Sequence, residues 1–170
     1  MAFREEQSML GRWWTIPLVL VVAGAMWWGF VQQVIFGKPW GNNPGPDWMM
    51  WLFALLFGIA FPIFFMRLRL IVEVHKDHVY IRFVPIARRR IPFTDIDRVE
   101  PRKYRPIAEY GGWGIKGWSK RKISYSVRGN QGVELHLRDG NSVMIGTREP
   151  EKLARAIDKA MAQGIASGSA

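Results

Sequence analysis

The 170-residue chain contains no cysteine, which removes disulfide frameworks, thiolate metal sites and cysteine nucleophiles together. Charge is missing from two long stretches. Trp13 to Phe36 carries none and is polar only at Thr15, Gln32 and Gln33, and Trp48 to Met66 carries none at all. Acidic residues are also in deficit, with 14 Asp and Glu against 24 Lys and Arg, a formal net charge of +10. Residues 1–66 contribute nothing to that excess, because Arg4, Arg12 and Lys38 are cancelled by Glu5, Glu6 and Asp47. All of it falls in residues 67–170.

What is present divides along the same line. Seven of the nine Trp and eight of the ten Phe precede residue 67, and 21 of the 24 Lys and Arg follow it. At 1.5 Å per residue each uncharged stretch is long enough to cross a hydrocarbon core of about 30 Å. A cleaved signal peptide would need a shorter apolar run ending in small residues, unlike the Trp-rich run at 13–36. The segment 37–47 between the runs is rich in Gly and Pro, which break helices, so the sequence predicts two antiparallel spans at about 13–36 and 48–66. Arg4 and Arg12 flank the first span and Arg67 and Arg69 follow the second, against one Lys in the loop. This predicts an inner (plasma) membrane protein with a short N-terminal segment, residues 1–12, and the C-terminal part both cytoplasmic. Trp13, Trp14, Trp40 and Trp48 fall at the expected interfaces. Ala25 with Gly29, and Ala54 with Gly58, give small residues at four-residue spacing. That suits close helix packing within the hairpin, or contacts with a second copy or a larger membrane complex.

After Met66 the apolar period changes to two. Leu68, Leu70, Val72 and Val74, then Val79, Ile81 and Phe83, predict a hairpin with a two-residue turn at Lys76-Asp77. It sets His75 opposite His78, Val74 opposite Val79, Val72 opposite Ile81 and Leu70 opposite Phe83. Further strands are expected at 90–92, 96–104 and 122–128, with a turn at Thr94-Asp95. A second hairpin places Val133, Leu135 and Leu137 on one face with Val143 and Ile145 through a loop Asp139-Gly140-Asn141. Pro150–Gln163 reads as an amphipathic helix whose stripe is Leu153, Ala154, Ile157, Ala160 and Met161, followed by a flexible tail, 164–170. The expected fold is therefore α+β: a two-helix hairpin, then a small antiparallel β-barrel or sandwich closed by a helix.

The run Ile91-Pro92-Phe93-Thr94-Asp95-Ile96-Asp97-Arg98-Val99 resembles the strand–turn–strand of bacterial pleckstrin-homology-like domains. Gly132 to Gly140, with Ile145 to Leu153, is similar to their closing hairpin and helix. The resemblance covers roughly residues 67–163 and implies the fold, a pleckstrin-homology-like barrel or sandwich, more than a function. The insert Tyr110-Gly111-Gly112-Trp113-Gly114-Ile115-Lys116-Gly117-Trp118 looks like that of a group of two-span proteins, which implies no known activity.

Nothing in the sequence calls for a catalytic site, a metal or a cofactor. Asp95 and Asp97 alternate along an extended segment and offer too few oxygens for a divalent cation. His75 and His78 lack a nearby third ligand, and the glycines of the insert match neither phosphate-loop nor dinucleotide spacing. The functional candidates are three basic clusters: Arg88-Arg89-Arg90 in a loop after Pro85, Arg102-Lys103 with Arg105, and Lys120-Arg121-Lys122. Trp113 and Trp118 are candidate interface aromatics. A basic domain tethered to a bilayer meets anionic headgroups, at ~1 kcal/mol per residue near the surface, although the same charges also serve as the positive-inside signal. Nucleic acid is not the expected partner, since no recognised nucleic-acid-binding motif accompanies the charge. Two functions remain: a scaffold that recruits to the membrane surface or binds protein, or an accessory subunit of a larger membrane complex.

Overall fold

The computed structural model describes residues 2–11, 13–119 and 121–167, and only the backbone of Trp118, Ser119 and residues 164–167. The chain divides into two compact units, residues 9–68 and residues 1–8 with 69–170.

The first unit is a helical hairpin. Helix α1 (Thr15–Ile35) and helix α2 (Asp47–Arg67) are each 21 residues long and apolar enough to cross a bilayer, about 32 Å at 1.5 Å per residue. Most of their large apolar side chains, among them Leu20, Val21, Trp28, Trp51 and Leu55, are exposed. A core helix of a soluble protein would bury them. Both helices widen into π-helical turns, at Val31–Ile35 and Ala54–Ala60. Phe30, Met50 and Ala54 form a small buried cluster with Val31 and Val34 packed against it. Gln33 ties the connecting loop down, donating through Nε2 to the Gly45 carbonyl at 2.7 Å and to Asp47 Oδ1 at 2.9 Å.

The second unit holds two sheets. The first has the order β1-β2-β3-β4, from β1 (Phe3–Ser8), β2 (Arg69–Val74), β3 (His78–Val84) and β4 (Ala87–Pro92), all antiparallel. The β2–β3 register is the expected one: Leu70 faces Phe83, Val72 faces Ile81 and Val74 faces Val79. The His75 and His78 rings stack 4.6 Å apart. Strand β1, expected only as a short N-terminal segment, completes this sheet.

The second sheet has the order β5-β8-β9-β7-β6, from β5 (Ile96–Lys103), β6 (Gly114–Ser119), β7 (Lys122–Ser126), β8 (Gln131–Leu137) and β9 (Ser142–Gly146). A short helix α3 (Pro106–Tyr110) lies between β5 and β6. The sheet is mixed, whereas the sequence predicted antiparallel pairing throughout. β7 runs parallel to β9, because β8 is held on one side of β9 by their hairpin and β7 takes the free edge. The 127–130 connection must then pass the end of β9. There Gly146 leaves room that a Cβ, 2.7 Å from Ser126 Cβ, would close.

The β8–β9 loop also differs from expectation. Leu135 pairs with Val143 and Val133 with Ile145, and the Leu137 N–H donates to Asn141 at 2.8 Å. The loop is therefore Arg138-Asp139-Gly140, shifted by one residue. The cause is the left-handed position, which a three-residue loop places last; Gly140 has φ +79°. The five apolar residues still share one face.

Alternating residues of both sheets, with Leu153, Ala154, Ile157 and Ala160 of α4 (Pro150–Ser167), are buried as the core. Helix α4 runs on into part of the expected tail; residues 168–170 lie outside the described residues.

Candidate functional site

The outward face of the first sheet follows from its register. Residues Arg4, Glu6, Arg69, Glu73, Tyr80, Arg82, Arg88 and Arg90 alternate with the buried set, and successive rows across the strands are Ser8–Arg69–Val84, Glu6–Ile71–Arg82–Arg88 and Arg4–Glu73–Tyr80–Arg90. Five arginines share this face with two glutamates. Arg69 donates to Glu6 at 2.9 Å, Arg4 approaches Glu73 at 3.6 Å, and Arg90 reaches Asp77 at the neighbouring turn at 2.6 Å. His78, by its hydrogen bond, and Arg90 hold the Asp77 carboxyl below its usual range.

Arg82 and Arg88 stand directly opposite each other, and among the described residues neither has a carboxylate partner. Like charges paired across strands repel. The Arg82 Nε is also shut off from solvent with no hydrogen-bond partner. Arg82 was not singled out in the sequence because it alternates with apolar residues inside a strand. Only the register, bringing it to Arg88, gives it significance.

The first basic cluster is therefore strand, not loop. Arg88 and Arg90 are exposed on the outer face, while Arg89 faces the other way beside Ile91. Arg89 and Arg90 also line a depression of about 290 Å³ with Thr94, Asp95, Arg138 and Asp139, where acids and bases alternate.

The second cluster splits. Lys103 and Arg105 are exposed, but Arg102 is 23% exposed and bridges two carboxylates, Glu134 of β8 through Nε and Glu109 of α3 through Nη2 at 2.8 Å. Glu109 also accepts the Arg105 backbone N–H at 2.7 Å. The hydrogen bond from Arg102 keeps Glu109 below the usual carboxylate range. Burial, the largest single influence, pushes Glu134 up, but the hydrogen bonds from Arg102 and Ser142 and the nearby Arg102 and Lys122 charges together outweigh it, and the net shift is downward. Desolvation works against the Arg102 charge, and the two glutamates more than offset it, so its pKa is raised. Tyr104 and Tyr110 pack with Met144 beside this network, and burial raises both phenols above their ordinary value. Tyr110, the first residue of the Gly/Trp insert, thus packs beside the ion pair.

In the third cluster Arg121 is exposed, and Lys122 lies 3.9 Å from Glu109 and 5.3 Å from the Tyr110 ring centroid. Lys120 and the Trp118 side chain lie outside the described residues. Trp113 is half-buried, its indole N–H donating to the Gly129 carbonyl at 2.9 Å.

The small residues of the helices pack largely within the hairpin. A Cβ at Gly29 would lie 2.6 Å from the Trp40 ring, and one at Gly58 2.7 Å from Trp27 Nε1, which donates to the Gly58 carbonyl at 3.3 Å. Ala54 is buried, but Ala25 is exposed.

Residues 1–164 match the model of a family of unknown function, DUF6141. The chain belongs to that family. The match takes in strand β1, both apolar helices and nearly all of α4, so the two units belong to one family architecture. No curated protein and no solved structure matches the chain.

Proposed function

We propose that this member of DUF6141 is a non-catalytic inner-membrane protein whose two helices span the bilayer and whose pleckstrin-homology-like domain engages the membrane surface, as a scaffold or recruitment platform. The observation that carries the reading is where the chain enters the domain. Strand β1 ends at Ser8, shortly before α1, and β2 begins at Arg69, two residues beyond α2, and these two residues pair. The Ser8–Arg69–Val84 row is thus the end of the sheet at which the chain leaves for the helices and returns from them, on a face with five arginines and two glutamates. Pairing of residues 3–8 with 69–74 fits a hairpin that returns to the side it left, and the Arg and Lys distribution supports the cytoplasmic side. Two sheets followed by a C-terminal helix support the pleckstrin-homology-like reading, with the parallel β7–β9 pair as a departure from it.

The test uses a soluble domain that keeps β1. Because the Met9 N–H donates to the Leu68 carbonyl at 3.0 Å, replacing residues 10–67 by Asn-Gly closes β1 onto β2 as an ordinary hairpin. This domain should co-sediment with vesicles containing phosphatidylglycerol, less so at physiological than at low salt, and not with phosphatidylcholine alone. Absence of binding to either would mean that the charge serves topology only.

A second reading, an accessory subunit of a larger membrane complex, is favoured by Gly24 and Ala25, small residues exposed on α1 with open space at Gly24. It requires co-purification with a defined partner in mild detergent.

A further inference from the structure

The β3–β4 connection departs from the rest of the domain in chemistry. Phe83 pairs with Ala87, so the loop is Val84-Pro85-Ile86, closed by the Ile86 N–H donating to the Phe83 carbonyl at 2.8 Å. Loops that face water are ordinarily polar. This one is wholly apolar, and Ile86 is 58% exposed. It projects from the end of the sheet at which Val84 pairs with Arg69, the end where the chain arrives from α2.

Arg82 and Arg88 flank the loop. They line a depression of about 200 Å³ together with Phe83, Val84, Pro85 and Ala87. Two features there lack a counterpart among the described residues: the opposed guanidinium charges, and the Arg82 Nε, buried without an acceptor. A buried donor left unpaired is costly, and guanidinium groups bind phosphate oxygens in strong, directional pairs. One phosphate between the two arginines would neutralise the repulsion of their opposed charges. An apolar tip beneath a basic collar is also the arrangement that membrane interfaces accommodate, apolar side chain toward the acyl boundary and cations at headgroup level.

We propose that the β3–β4 turn docks the domain on an anionic lipid surface, Ile86 entering the interface and Arg82 with Arg88 holding a lipid phosphate between them. The proposal rests on the reading that the domain engages the membrane surface, and it names the element and the ligand. A lipid headgroup is the source of the phosphate because only a bilayer accounts for the apolar tip as well as the basic collar.

The absence of cysteine allows a direct test in the full chain. Ile86→Cys, carrying an environment-sensitive fluorophore, is reconstituted in nanodiscs of phosphatidylcholine alone or with phosphatidylglycerol, with nitroxide lipids as quenchers. Ile107→Cys, at an exposed position of α3, is labelled in parallel. The Ile86 probe should be quenched in anionic discs. In Arg82→Gln/Arg88→Gln the docked-to-undocked ratio should fall on the order of 30-fold, two cations at the surface each changing it about fivefold. That variant removes a like-charge pair and is expected to fold. Equal quenching of Ile86 in both lipids, insensitive to the double substitution, would overturn the phosphate site. Quenching at Ile107 and not at Ile86 would overturn the assignment of the turn while leaving membrane engagement intact. Quenching at neither position would remove both.

Discussion

Gln7 donates through Nε2 to the carbonyl of Gly146 at 2.9 Å, a buried bond across 139 positions of sequence. Beside it Glu5 accepts from the Thr147 hydroxyl and, at 3.2 Å, from the Arg148 backbone N–H. Strand β1 thus bonds to β2 along its edge and, through two inward side chains, to the last residue of β9 and the chain that follows it toward α4. Gln7→Ala should therefore cost about 1–3 kcal/mol, the range for orphaning a buried carbonyl. Arg4→Ala, on the exposed face of the same strand, should cost under about 1 kcal/mol. Urea denaturation of the Asn-Gly-closed domain separates the two.

The ion pairs of Arg102 give a pH dependence. Glu109 and Glu134 both lie below their ordinary value of 4.5 in the folded state. A group whose folded pKa is depressed contributes its stability above the unfolded pKa and loses it as pH falls through the folded one. The midpoint temperature should accordingly hold from neutral pH down to about pH 5 and then fall as the pH drops through and below the ordinary carboxylate range. Arg102→Met should destabilise at neutral pH by about 3 kcal/mol, because it strands Glu134, whose side chain is 7% exposed, and it should flatten the acid limb. An acid limb unchanged in Arg102→Met would show that other carboxylates carry it.

Gly140 supplies the left-handed residue that sets the β8–β9 register. Gly140→Ala should cost about 1–2 kcal/mol and Gly140→Asn less, since Asn tolerates that conformation. Thermal melts of the two variants rank them. Equal losses would mean that the register is held by the strands alone.

Legibility in the sequence tracked whether partners were apolar and local. The β2–β3 register could be read because Leu70, Val72, Val74, Val79, Ile81 and Phe83 alternate on both sides of a short turn. The two apolar helices were legible from their lack of charge. Strand β1 was not, because two of its inward residues, Glu5 and Gln7, are polar and find their partners at Thr147, Arg148 and Gly146. Strand β6 was hidden by its composition, Gly114-Ile115-Lys116-Gly117-Trp118-Ser119. There Gly117 is required because a Cβ would meet the Lys122 carbonyl at 2.2 Å. At the candidate site the excess of arginine was visible, but which arginines remain unpaired depends on register. Arg102 resembled its neighbours in sequence and is bridged by two carboxylates, whereas Arg82 looked like an ordinary strand residue and stands opposite Arg88.

The interrupted hairpin carries the last prediction. Met9 to Leu68 continue the β1–β2 ladder, so residues 10–67 are topologically an insertion in a hairpin turn. Deleting them with an Asn-Gly closure should leave a cooperative, monomeric domain. A chain beginning at Arg67 lacks β1 altogether. It loses the Gln7 and Glu5 bonds and exposes the β2 edge, whose residues Leu70, Ile71, Val72 and Val74 are buried in the intact sheet. An unpaired apolar edge of this kind is a template for association. The truncated chain should therefore elute as aggregate in size-exclusion chromatography and unfold without a cooperative urea transition, while the closed domain elutes as a monomer. A truncated chain that is monomeric and as stable as the closed domain would show that β1 is an accessory to the sheet rather than a member of it.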